Sequence, residues 1–343
     1  MFSTLTCSIE AAVFCNWLQP RAARLETFTF PVDAYLTRDK TCFTRELIAV
    51  LPDSLRTLEL QAYRMDESYR AAIEQTSQLE AFSHLQPGFQ MLQDTVPHLS
   101  YLTRLSQLQD LSLPLHAPIE RHDLESLGAL KSLHTLHLEW RDNVNHHLGQ
   151  PGRVQAAFLP HASLSVLTAL TELSTHGLRH QHLHGLAALS HLEHLTVQRS
   201  EMLELTGSSG ATSLVSLTLA ELTVDESYPS MLNILRSMPL LTALSLSDVF
   251  SKHDELYLEL KPLLELPSLE HLCVKKCDLD YRMAIDSSRV SRALTRLDIC
   301  ISDLELHPTV PALNQLSCLV RLESMYEQED TNYTSLHCCI SRI

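Results

Sequence analysis

The densest set of potential metal ligands in this 343-residue chain is a run of histidines. Of nineteen histidines, ten fall between His137 and His194. His180, His182 and His184 alternate, with His191 and His194 close behind. Three converging imidazoles could hold zinc, which asks for a tetrahedral set of ligands. But the run is interleaved with Leu183 and Leu186, which read as core residues of a connecting segment. A compositional cluster of this kind points to a pH-responsive surface sooner than to a site, because histidine titrates near neutrality. The sequence predicts no metal and no cofactor. Catalysis has no other foothold, since no phosphate loop, nucleophile elbow or HExxH motif occurs. An enzyme is not expected, and a metal-dependent hydrolase is the remote alternative.

A second set suits recognition. His137, Glu139, Trp140, Glu172, His176, His194, Gln198 and Arg199 mix one large aromatic, one guanidinium and several polar groups. Tryptophan and arginine are frequent anchors of protein interfaces. The plain alternative is a solvated face whose polar residues recognise nothing.

These eight residues need elements to position them, and the apolar pattern supplies strands. Leu269–Leu279 reads LEHLCVKKCDL, of the form LxxLxLxxCxL. Weaker copies begin at Leu25, Leu55, Leu79, Leu108, Leu133, Leu170, Leu192, Leu214, Leu241, Leu294 and Leu319. Together they make twelve candidate units, whose first leucines are 30, 24, 29, 25, 37, 22, 22, 27, 28, 25 and 25 residues apart. Side chains alternate along a strand, so the two apolar residues of each LxL point inward and their neighbours point out. Parallel strands need crossovers, so stacked copies predict an α/β coil: a right-handed solenoid of horseshoe form, with a parallel sheet on the concave face and short helices and 3₁₀ turns on the convex face. All eight recognition residues then fall on or beside the outward positions of three units.

The crossovers differ. Leucines recur every third residue at Leu124, Leu127, Leu130 and Leu133, and again at Leu183, Leu186, Leu189 and Leu192. Both stretches predict 3₁₀-like turns. Ser227–Pro239 predicts a true helix, with Pro229 in its first turn and Pro239 ending it. An insertion near residues 141–163 is expected beside the face. Residues 1–24 are expected to hold an N-terminal capping helix, residues 25–325 the repeats, and residues 326–343 an irregular tail.

By this point the residues resemble the leucine-rich-repeat superfamily. LEHLCVKKCDL, LTRLDICISDL at Leu294–Leu304, and Trp17-Leu18 ahead of Leu25-Glu26-Thr27-Phe28 resemble the intracellular F-box and plant-type, cysteine-containing class. That resemblance implies a protein partner and, with an F-box outside this chain, an adaptor of an SCF-type ubiquitin ligase. The chain departs from the pattern at the loop position where the class often has Asn or Cys. Only Cys277 keeps it, while Ser200, Leu222 and Val249 stand elsewhere. A regular asparagine ladder is therefore absent, and the backbone groups it would satisfy need other partners.

Charge narrows the partners. The chain carries 26 Lys and Arg against 41 Asp and Glu, a net of −15. Such a chain is not expected to bind nucleic acid or an anionic membrane, which need clustered cations. Nine scattered cysteines fit a reducing compartment, so the expected setting is cytoplasmic. The expected function is non-enzymatic recognition of a protein or peptide on the concave face. Substrate recognition in an SCF ligase is the more specific alternative.

Overall fold

The computed structural model describes residues 26–30, 55–61, 78–85, 99–115, 121–140, 164–177, 180–200, 202–204, 211–224, 228–251, 258–275, 277, 279–280, 291–300 and 321–325. The proposed capping helix, the insertion and the tail lie outside these residues. The chain divides into two compact units, Met1–Leu170 and Thr171–Ile343.

In the first unit five strands pair in parallel in chain order: β1 (Thr27–Phe30), β2 (Thr57–Gln61), β3 (Ala81–Leu85), β4 (Asp110–Leu115) and β5 (Thr135–Trp140). The second unit holds β6 (Glu172–His176), β7 (His180–His182), β8 (His194–Gln198), β9 (Met202–Glu204), β10 (Ser216–Val224), β11 (Ala243–Ser251), β12 (Leu258–Glu259), β13 (His271–Lys275), β14 (Leu279–Asp280), β15 (Arg296–Cys300) and β16 (Arg321–Met325). Its main row runs β6-β8-β10-β11-β13-β15-β16. A strand thus stands at each of the twelve LxL positions, including the degenerate Leu79–His84.

Register follows the leucines. Thr27 faces Thr57, which faces Ala81, and the series continues to Asp110 and Thr135. In the second unit Glu172, His194, Ser216, Ala243, His271, Arg296 and Arg321 face one another in turn. Slipping any strand by one residue would turn its leucines to solvent, so the buried row fixes the pairing. The inward residues are sealed: Leu195 is 2% exposed, Val197 0%, Leu217 1% and Leu219 0%. Burying each leucine contributes roughly 1.5–3 kcal/mol, and neighbouring copies supply the cover that one repeat lacks.

The approach to each strand is a tight turn. Leu105 N donates to Leu102 O and Leu108 N to Leu105 O, and the same i to i+3 steps recur at Leu186, Leu189 and Leu192. At the strand start two amides share one carbonyl of the preceding repeat. Glu193 N and His194 N both donate to Thr171 O, and Val215 N and Ser216 N both donate to Glu193 O. Hydroxyls ahead of the strands also tie successive repeats. Ser213 Oγ donates to Leu192 O at 2.8 Å, Ser268 Oγ to Pro239 O at 2.7 Å and Ser291 Oγ to Leu269 O at 3.1 Å.

Two crossovers match their expected form and one departs from it. Leu183–Ala188 is a 3₁₀ turn, and Tyr228–Arg236 is an α-helix. The expected 3₁₀ turn before β5 instead opens as an α-helix, Arg121–Gly128, and only then takes the i to i+3 steps Leu127, Leu130, Leu133. Residues three apart share a face in either helix, so Leu124 and Leu127 could not distinguish the two. Buried Asp123, 2% exposed, locks this helix to the neighbouring turn by accepting the Leu99 amide at 2.9 Å.

Candidate functional site

The outward residues of the main row form an open face rather than a cleft. On β8 the alternation is strict: His194 is exposed, Leu195 buried, Thr196 half-buried, Val197 buried and Gln198 half-buried. A recess between Gly128–Leu133 and Val166–Ala169, away from that face, holds about 10 Å³, room for roughly one water.

The eight residues expected to recognise a partner divide between the two units. His137 and Glu139 are half-buried, outward positions of β5, and Trp140 is the last residue of that strand, its side chain outside the described set. The other five gather in the second unit. Glu172 faces His194, and His176 faces Gln198, across the β6–β8 pair. Arg199 follows Gln198 directly. Nδ1 of His176 is buried and has no hydrogen-bond partner among the described residues. No group of three or more His, Cys, Asp or Glu side chains among the described residues is arranged to hold a metal ion. His180–His182, expected in a crossover, forms β7, which pairs with β9.

The structure adds a feature that periodicity did not reveal. Two residues past the second inward position of the strand, the backbone turns left-handed in four successive repeats. These residues are Gly177 (φ 75°), Arg199 (53°), Glu221 (52°) and Asp248 (51°). An L-residue in this region costs roughly 1–2 kcal/mol, whereas glycine adopts it freely. Each turn carries the next residue inside in three of these repeats: Ser200 is 2% exposed, Leu222 2% and Val249 0%. These fill the loop position where the class keeps Asn or Cys. The ladder runs on past the corner, since Gly177 N donates to Gln198 O and Arg199 N to Ala220 O. β10 and β11 therefore pair on both sides of it, from Ser216–Ala243 to Val224–Ser251.

The corner residues form a ridge at the edge of the face. Arg199 Nε donates to Glu221 Oε2 at 2.8 Å, with the two side chains 61% and 54% exposed. Ser247 Oγ donates to Asp248 Oδ2 at 3.3 Å. Trp140 holds the same place in its own repeat, two residues past Leu138. The two anchors picked from the sequence, Trp140 and Arg199, are thus equivalent positions. The glycine at residue 177 was the available signal for the ridge, in a chain with only eight glycines.

Further along the row the face turns more basic. His271 faces Arg296, which faces Arg321. Arg296 donates from Nε to Asp298 Oδ2 at 2.9 Å, and that bond together with the carboxylate charge raises the guanidinium pKa above its ordinary value.

No family model matches the sequence, and no curated protein matches it. Solved structures do match. An internalin from Listeria monocytogenes superposes with a TM-score of 0.52 at 15% identity, over 84% of this chain and 71% of the internalin. The fold is a leucine-rich repeat. A leucine-rich-repeat protein from Leptospira interrogans is similar over 91% of this chain and 87% of its own, at 12% identity and a TM-score of 0.48. A plant peptide hormone receptor, solved in complex with RGF2, is similar over 88% of this chain and 46% of the receptor, at 14% identity and a TM-score of 0.44. At these identities the leucine-rich-repeat likeness is one of fold.

Proposed function

We propose that this leucine-rich-repeat chain is a non-enzymatic module that binds a protein or peptide partner across the outward face of its parallel strands. The observation that carries this reading is the in-register face itself. Half-buried polar side chains stand over a sealed leucine core, and the recognition residues Glu172, His176, His194, Gln198 and Arg199 lie together on two paired strands. Stacked repeats create extended surfaces of this kind, which repeat proteins use for binding. The acidic balance favours a protein partner over nucleic acid or an anionic membrane. No helix among the described residues is long and apolar enough to cross a bilayer. The proposed setting is cytoplasmic.

The test is affinity capture with the full chain, followed by Trp140→Ala combined with Arg199→Ala. A specific partner should be captured and then lost at least tenfold in the double variant. Capture that is unchanged would overturn the assignment of the face. Substrate recognition for an SCF-type ligase is the more specific reading, favoured by the LxxLxLxxCxL unit with buried Cys277. Co-capture of the ligase adaptor with a longer form of the chain would support it, and its absence there would remove it.

A further inference from the structure

The ridge repeats a feature that folding alone does not require of charged residues. Glycine at 177 makes the same corner without strain, yet the next three repeats place Arg199, Glu221 and Asp248 there. Left-handed L-residues are concentrated where function holds them. At two of these positions the side chain is more than half exposed, and the charges run plus, minus, minus.

Geometry selects what could match that order. β8, β10 and β11 are hydrogen-bonded neighbours in register, with Gln198, Ala220 and Ser247 level with one another just before the corner. Arg199, Glu221 and Asp248 therefore step across the sheet by about 4.8 Å each. In an α-helix, residues three or four apart share a face and advance about 4.5 or 6 Å along the axis. In an extended segment, residues on one side are about 6.6–6.8 Å apart and run out of step after one contact.

We propose that the ridge Arg199–Glu221–Asp248 is a rail for an α-helix of the protein partner, lying across the strands. That helix carries a carboxylate followed by two basic residues at intervals of three or four. The proposal rests on the protein-binding reading above and names the chemistry of the bound segment. The Arg199–Glu221 pair is exposed, so each group exchanges its partner at little expense.

The test uses the full chain and two alanine-based, lactam-bridged helical peptides of equal length. One carries Glu, Lys and Lys at positions i, i+4 and i+7, and the other carries Lys, Glu and Glu there. Binding is read by fluorescence anisotropy at low salt. The first peptide should bind at least fivefold more tightly, and the preference should shrink as salt is raised. The triple variant Arg199→Glu, Glu221→Lys, Asp248→Lys keeps the intramolecular pair with its charges exchanged, and it should reverse the preference. Glu221→Gln, a milder change, should reduce the preference without reversing it. Equal binding of the peptides, binding of neither, or an unreversed preference in a triple variant with native circular dichroism would overturn the rail. A captured partner that survives the triple variant yet is lost on Trp140→Ala would sink the rail while leaving the binding-module reading intact.

Discussion

Glycine and alanine should exchange ranks along a single strand pair. At Glu221, either substitution removes the exposed bond to Arg199, so that loss cancels between them. What remains is backbone. Alanine at φ 52° carries the steric cost of the left-handed region, roughly 1–2 kcal/mol. Glycine avoids it but gives up about 0.5–1 kcal/mol of unfolded-chain entropy. Glu221→Gly should therefore be more stable than Glu221→Ala by about 0.5–1 kcal/mol. Thr218, three residues earlier on β10, is an ordinary strand position, and there the order reverses, with alanine ahead by about 0.5–1 kcal/mol. The measurement is the midpoint of urea unfolding by circular dichroism for all four variants, compared at equal slope. The same inversion should hold at Arg199 and Asp248. Alanine ranking above glycine at Glu221, or the same sign at both positions, would refute the left-handed corner and the strain argument built on it.

Further substitutions, centred on Gly128, Asp123 and Leu244, test the packing that holds the face. A Cβ on Gly128 would lie 2.8 Å from both Cβ and Cγ2 of Val166, so Gly128→Ala should cost about 1–3 kcal/mol in thermal unfolding. Adding Val166→Ala removes the Cγ2 contact but keeps the Cβ at 2.8 Å and the backbone oxygen at 3.2 Å, so it should recover only part of that loss, in a double-mutant cycle that fails to add. Asp123→Ala strips the Leu99 amide of its buried acceptor and should lose about 1–3 kcal/mol, while Asp123→Asn, which keeps an acceptor oxygen, should lose less when both are compared by urea unfolding. Leu244→Ala should cost about 2–5 kcal/mol, whereas Ser245→Ala, one residue on and facing outward, should stay within about 0.5 kcal/mol in the same assay.

The strands were legible because their burial is written in side chains. Phe28, Leu58, Phe82, Leu111 and Leu136 are partners across adjacent strands, and each sits at the fourth place of its unit. Even the weak unit at Leu79 obeyed, since Phe82 is as apolar as the leucine it replaces and is 1% exposed. The ridge was not legible for the converse reason. A corner is a backbone event, and Arg199, Glu221 and Asp248, though all charged, follow no apolar period and carry opposite signs. The helix at Arg121–Gly128 was misread because a leucine every third residue is compatible with both 3₁₀ and α geometry. The missing asparagine ladder was legible as an absence, but the hydroxyl ties between repeats were not. Ser213, Ser268 and Ser291 look like ordinary turn residues until their hydroxyls are seen to reach the preceding repeat. Of the recognition set, alternation alone placed His194 and Gln198 outward.

The register has a consequence for how this chain can change. Neighbouring strands of the main row start 22, 22, 27, 28, 25 and 25 residues apart in the second unit, yet their outward residues stay level. The two amides that fasten each strand to one carbonyl of its neighbour take no account of how much chain was spent between them. Crossover length can therefore change without moving the outward residues out of register: the spacing across the face is set by the strands and their shared carbonyls, not by the segments that join them.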